Sequence, residues 1–93
     1  AVAGMTKVAA AEAAAKGVRV NALGPGATMT AALRGWKESS PEAFQAVADS
    51  IPMRRVSEPE EQAEPAVFLC SDAASYITGV TLFVDGGNGI LGR

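Results

Sequence analysis

The sequence predicts an α/β fold built on a parallel sheet, and three observations carry that expectation. Two short apolar runs, residues 18–23 and 80–84, have the length and β-branched content of buried parallel strands. Helix-forming segments precede the first run and fill the space between the two. The first run also breaks into a glycine-proline loop, Asn21-Ala22-Leu23-Gly24-Pro25-Gly26-Ala27-Thr28-Met29-Thr30. Ligands of open α/β sheets bind just beyond the carboxyl ends of such strands. The order helix, strand, loop with short helices, helix, strand implies a parallel pair joined by a right-handed crossover, half of a doubly wound layer. Two strands leave N–H and C=O groups unpaired along both edges, so these residues are expected to be a segment of a larger sheet.

Each element has its own local reason. Residues 1–16 are dominated by alanine, the best helix former, with Met5 and Val8 available for one face and Lys7, Glu12 and Lys16 for the other. Gly17 suits the left-handed position that ends a helix. Arg19, in the middle of the first strand, makes its periodicity ambiguous. Residues 30–35 and 41–49 read as two short helices separated by Glu38-Ser39-Ser40, with Pro41 at a helix start. An amphipathic excursion placed directly after a binding loop is a plausible lid. Ser57-Glu58-Pro59-Glu60 has the spacing of a capping box and opens a helix to about Cys70, with acids in its first turn. Pro65 lies within that helix and withholds an N–H from the carbonyl of Glu61, which predicts a kink or a late start. The last strand closes on Val84-Asp85-Gly86-Gly87, where Asp85 is expected to hold the turn through an Asx-type bond.

Composition excludes several functions. The 93 residues carry 8 basic and 10 acidic side chains, a net charge of −2, with no basic cluster of the kind that nucleic-acid binding requires. One cysteine, Cys70, cannot close an intramolecular disulfide, and without histidine the usual soft metal sites cannot form, so no metal is expected. Cys70 reads as a small apolar residue buried on a helix. No apolar run approaches the roughly 20 residues of a membrane span, and no signal peptide opens the chain, which points to a reducing, cytoplasmic setting. Gly87-Asn88-Gly89-Ile90-Leu91-Gly92 matches G-x-G-x-x-G, but no helix is expected after it to supply a phosphate site, so it is read as a glycine-rich turn.

The loop at 21–30, the Ser75-Tyr76-Ile77-Thr78-Gly79 turn and Val84-Asp85-Gly86-Gly87 together resemble the C-terminal part of the short-chain dehydrogenase/reductase family, in particular oxoacyl-carrier reductases and sugar dehydrogenases. The resemblance spans nearly the whole chain and implies the C-terminal part of a Rossmann doubly wound parallel sheet. It implies hydride transfer between NAD or NADP and a small carbonyl or alcohol substrate. Pro25 and Gly26 correspond to the turn that bends around the nicotinamide. Thr28 stands where the family usually has isoleucine or valine, whose main chain would bond the carboxamide. Thr30 matches a threonine whose hydroxyl reaches the carboxamide or pyrophosphate, although the same hydroxyl would serve as a helix N-cap. Asn21 is expected to make a structural hydrogen bond.

By the same resemblance residues 31–51 form the substrate lid, with Met29, Leu33, Trp36 and Phe44 as an apolar wall. Trp36 would serve equally well to pack the lid onto the body. Arg54 and Arg55 match a feature that stabilises the lid hinge. Gln62 and Pro65 depart from the family pattern, which has isoleucine or valine followed by helix formers.

The family's catalytic Tyr-x-x-x-Lys pair is expected upstream of Ala1. Tyr76, the only tyrosine, is followed four residues later by Val80 and not by a lysine, so it reads as a packing residue and not as a proton donor. Gly4 would be the small residue that lets helices approach, and Lys7 a solvated one. The implied partners are a homo-oligomer formed through the 1–16 helix and the C-terminal strand. The alternative is a catalytically inactive assembly module of the same fold.

Overall fold

Alanine-rich sequence gives the first helix, α1, Val2–Ala13, which tightens into a 3₁₀ turn over Ala14–Lys16. Gly17 then takes the left-handed conformation expected of it, with φ 77°. The computed structural model describes residues 1–91, so Gly92 of the glycine-rich tail lies outside the described residues.

The first strand, β1, covers Ala22–Pro25 and starts later than the predicted residue 18. Over the preceding residues the ladder is mixed: the Gly79 N–H donates to the Val20 carbonyl at 2.8 Å, and side chains take the other bonds. The Val20 N–H donates to the Thr78 hydroxyl, while the Asn21 carboxamide donates to the Ile77 carbonyl and accepts from the Val80 N–H. Arg19 settles its own ambiguity by donating to three carbonyls, those of Leu69 at 2.7 Å, Ile77 at 3.2 Å and Ser71 at 3.3 Å.

The second strand, β2, is Thr81–Val84 and pairs in parallel with β1, Ala22 opposite Thr81 and Pro25 opposite Val84. Bonds to β2 leave from the amides of Ala22 and Gly26. The nitrogen of Pro25, of opposite parity, therefore faces away from β2, and no bond of this strand pair needs its missing donor.

Between the strands lie α2, Ala31–Ser39, α3, Pro41–Asp49, and α4, Pro59–Leu69. The link between α2 and α3 is the single residue Ser40, because Glu38 and Ser39 join α2. The helix α4 begins at Pro59 and continues through Pro65, which corrects the expected late start. Its cap is also displaced: Glu61 accepts from the Glu58 N–H at 2.9 Å, whereas the Ser57 hydroxyl is engaged with residues 27 and 28. That capping interaction and Pro59 at the first helical position stabilise the first turn.

Two packing expectations are corrected. Cys70 ends α4 and is exposed. Tyr76 is fully exposed, the interior position of its turn being taken by the buried Ala74. No atom lies within 4 Å of the position a Gly4 side chain would occupy among the described residues, which leaves that face of α1 open to a second helix.

The main core is a cluster of Met29, Phe44, Ile51 and Val56, with Leu33 and Trp36 packed against it. It sits inside the excursion between the strands and not under the sheet. The radius of gyration is 16.1 Å with extents of 51 × 25 × 19 Å, against about 12 Å for a compact chain of this length. Val2, Met5 and Val8 on α1, Phe68 on α4 and Phe83 on β2 stand exposed. Among the described residues this apolar surface is left uncovered.

Candidate functional site

The candidate site starts where β1 ends. The Gly26 N–H donates to the Val84 carbonyl at 3.0 Å, which brings the bend against the chain at Asp85. A side chain at Gly26 would place its Cβ 2.7 Å from Asp85 Cα, so only glycine fits this approach. Asp85 holds the opposite turn as expected, its carboxylate accepting from Gly87 N–H at 3.1 Å and Gly89 N–H at 2.9 Å. Residues 88–91 then form a short 3₁₀ turn and not the α-helix that a dinucleotide fingerprint needs.

Pro25 is exposed and Gly26 half-buried. Both line an open groove of about 880 Å³ shared with Gly24, Phe83, Asp85 and Asn88. The bend therefore faces open space.

Beyond it, Thr28 and Ser57 form an isolated parallel bridge. The Met29 N–H donates to the Ser57 carbonyl at 2.8 Å, and the Ser57 N–H donates to the Ala27 carbonyl at 3.0 Å. A parallel bridge of this kind uses the neighbours of the central residue, so the N–H and C=O of Thr28 point the other way. Neither has a partner among the described residues. The Thr28 hydroxyl donates to the Gly26 carbonyl at 3.0 Å. Thr30 caps α2, its hydroxyl oxygen accepting from the Leu33 N–H at 3.1 Å.

The four lid residues come together, but chiefly with one another. Met29 and Phe44 are buried, and Leu33 and Trp36 pack on them. Trp36 meets Phe44 edge-on at a centroid distance of 5.8 Å, and the Lys37 ammonium lies 5.5 Å from the Phe44 centroid. Packing is thus the observed role of Phe44 and Met29.

At the returning end of the excursion Arg55 donates through both guanidinium nitrogens to Glu61, at 2.6 and 2.7 Å. Arg54 takes φ 62°, unusual for a residue with a side chain, and its side chain is exposed. The hydrogen bond from Arg55, with that from the Glu58 N–H, lowers the Glu61 pKa to about 2. The same pairing raises that of Arg55. A depressed carboxylate pKa contributes stability above the unfolded value, lost as pH falls through the folded one. Glu61→Gln should therefore lower the melting temperature at neutral pH, and the difference from the parent should close as pH falls from the unfolded carboxylate range towards about 2. Melting curves across that range check it; a difference independent of pH would refute it.

Two residues had a larger part than their sequence suggested. Ser57 was expected only to cap α4, and Gln62 stood out only as a departure. In the structure Gln62 donates to the Ser57 hydroxyl oxygen at 3.2 Å and to the Val84 carbonyl at 2.8 Å.

Parallel strands joined by a helical crossover, with a glycine-proline bend opening to a groove at their carboxyl ends, define a doubly wound type of α/β protein, and the groove lies where ligands of such sheets bind. The family model described as enoyl-(acyl carrier protein) reductase matches residues 1–88. The chain belongs to the short-chain dehydrogenase/reductase family, as a partial Rossmann-type fold. It is 47% identical over 91 residues to the A-factor type gamma-butyrolactone 1′-reductase (1S-forming) of Streptomyces virginiae, covering 98% of this chain and 35% of that protein. It is 51% identical over 83 residues to 3beta-hydroxysteroid dehydrogenase 1 of Eggerthella lenta, covering 89% of this chain and 31% of that one. The structure of a putative 2-deoxy-d-gluconate 3-dehydrogenase from Agrobacterium tumefaciens with bound NADP superposes with a TM-score of 0.81 at 42% identity, over 99% of this chain and 36% of that one. The chain thus spans about a third of the length of these relatives. No described helix is long and apolar enough to cross a membrane.

Proposed function

We propose that the chain is the C-terminal segment of an NAD(P)-dependent oxidoreductase that interconverts a carbonyl and an alcohol. In this reading Pro25, Gly26, Thr28 and Thr30 hold the nicotinamide end of the cofactor, and residues 31–51 cover the substrate. The observation that carries it is the pair of unpartnered main-chain groups on Thr28, one donor and one acceptor, beside a bend that opens to a groove. A carboxamide offers the complementary donor and acceptor. Because the contact is main-chain, threonine serves as well as the apolar residue usual at this position.

NAD(P) supplies the hydride acceptor or donor. This chain's residues bind and orient the ring: Gly26 permits close approach, the Thr28 main chain fixes the plane of the amide, and the Thr30 hydroxyl keeps a proton to donate while its oxygen caps α2. The proton that accompanies hydride transfer is assigned to a Tyr-x-x-x-Lys pair upstream of Ala1. Tyr76 stands exposed without a lysine one turn on.

The bound NADP of the Agrobacterium tumefaciens structure supports the cofactor class. The relatives' names join a butyrolactone reductase and a hydroxysteroid dehydrogenase, which supports the reaction type and leaves the substrate broad. An exposed free Cys70 suits a reducing cytoplasm. The uncovered Val2, Met5 and Val8 face of α1 suits a homo-oligomer.

The full-length protein should bind NAD(P) and reduce or oxidise it with a carbonyl or alcohol substrate, followed by the absorbance of the reduced nicotinamide. Absence of dinucleotide binding would overturn the reading.

A further inference from the structure

A directional chain of side-chain hydrogen bonds runs beneath the loop. The Gln62 amide N–H groups donate to the Val84 carbonyl at 2.8 Å and to the Ser57 hydroxyl oxygen at 3.2 Å. Ser57 has one proton to give, and its oxygen lies 3.1 Å from the Thr28 hydroxyl and 3.1 Å from the Ala27 carbonyl. Thr28 in turn donates to the Gly26 carbonyl at 3.0 Å. Every end of the chain is therefore a main-chain carbonyl: Val84 at the end of β2, and Gly26 and Ala27 in the bend.

A peptide plane carries the carbonyl of one residue and the N–H of the next. The Ala27 carbonyl, which shares its plane with the Thr28 N–H, accepts from both the main-chain N–H and the hydroxyl of Ser57, and the Gly26 carbonyl, which shares its plane with the Ala27 N–H, accepts from the Thr28 hydroxyl. The Thr28 N–H is the donor left unpartnered at the candidate site. Gln62 is also held at a cost, since its Oε1 is buried without a partner. An unsatisfied buried acceptor is unfavourable, and an apolar side chain would avoid it. Two side chains of this relay, Thr28 and Gln62, stand where the resemblance to the family implies apolar residues.

We infer that Gln62 and Ser57 are positioning residues for the cofactor loop, acting through the Thr28 hydroxyl to orient the main chain that receives the nicotinamide carboxamide. The inference rests on the cofactor reading above. It adds a polar latch anchored on α4 and on the end of β2.

The test uses the full-length protein and titrations with NAD and NADP. Thr28→Val and Gln62→Leu should each weaken dinucleotide binding about three- to tenfold, the range of one net hydrogen bond. Thr28→Ser, which keeps the hydroxyl, should bind as the parent does. The double variant should be no weaker than the weaker single one, because both break the same relay. In turnover, Gln62→Leu should raise KM for the dinucleotide by more than it lowers kcat. Parental binding by Thr28→Val, failure of Thr28→Ser to restore binding, or multiplying effects in the double variant would each overturn the latch while leaving the cofactor reading intact. A parent protein that binds neither dinucleotide would overturn both.

Discussion

Phe44→Ala is expected to remove about 3–5 kcal/mol of folding stability, the loss typical of truncating a buried aromatic side chain. Phe44 is 5% exposed and sits among Met29, Ile51 and Val56, with Trp36 edge-on against its ring. The aromatic pair adds about 0.5–1.5 kcal/mol beyond the area it buries. The surroundings are poorly able to collapse into the space. Met29 is held by its N–H bond to Ser57, and Val56 precedes the same anchor, so the two roots of the cluster stay where they are. Phe83→Ala makes the contrast: that ring is 65% exposed, and its removal should change stability by no more than about 0.5 kcal/mol. Denaturant unfolding of both variants checks the pair. A loss below about 1 kcal/mol for Phe44→Ala would show that the excursion has no packed interior of its own.

Gly26→Ala should combine a stability loss with a functional one. Its new Cβ would lie 2.7 Å from Asp85 Cα and 3.0 Å from Asp85 Cβ, contacts with a neighbour that cannot swing aside. Relief requires the strand ends to part, which strains the Gly26 bond to Val84 and the Asp85 turn. The expected loss is about 1–3 kcal/mol, as for overpacking of a close-fitted site. Dinucleotide binding should fall with it, because the same bend faces the groove. Gly24→Ala is the control. Its Cβ would come within 2.5 Å of Phe83 Cδ1, a nominally worse contact, yet the exposed Phe83 ring can rotate away. Gly24→Ala should therefore be the milder change, and the reverse ranking in melting temperature and dinucleotide titration would refute the argument.

What was legible in the sequence was local chemistry. Gly17 as a helix end, Pro41 at a helix start, Asp85 as a turn holder and Asn21 as a structural bond all depend on a few neighbouring residues, and all are found in those roles. The strand pairing was readable from the order of the apolar runs, and the bend at Pro25 and Gly26 from its place after the first of them. The misses share one cause: their outcome is decided by residues far away in sequence. The onset of β1 is delayed because Thr78 and Asn21 side chains take ladder bonds. The cap of α4 moves from Ser57 to Glu58 because Ser57 is taken up by the loop about 30 residues earlier. Cys70 and Tyr76 are exposed because no described element covers them. The same limit hid the Ser57 and Gln62 relay. Each residue has an ordinary local reading, and only the fold brings them under Thr28.

The bridge between Thr28 and Ser57 brings the two ends of residues 29–56 together, and the Met53 N–H ties the returning arm to the Gly86 carbonyl at 3.0 Å. The entrance and exit of this stretch are neighbours, so the distance it must span is independent of its contents. Doubling the length of such an insert raises its closure cost by only about 0.6 kcal/mol. A graft of the corresponding stretch from a relative, joined at this pair and keeping the 51–53 contact with the turn after β2, should leave the floor formed by β1 and β2 in place while replacing the roof above it.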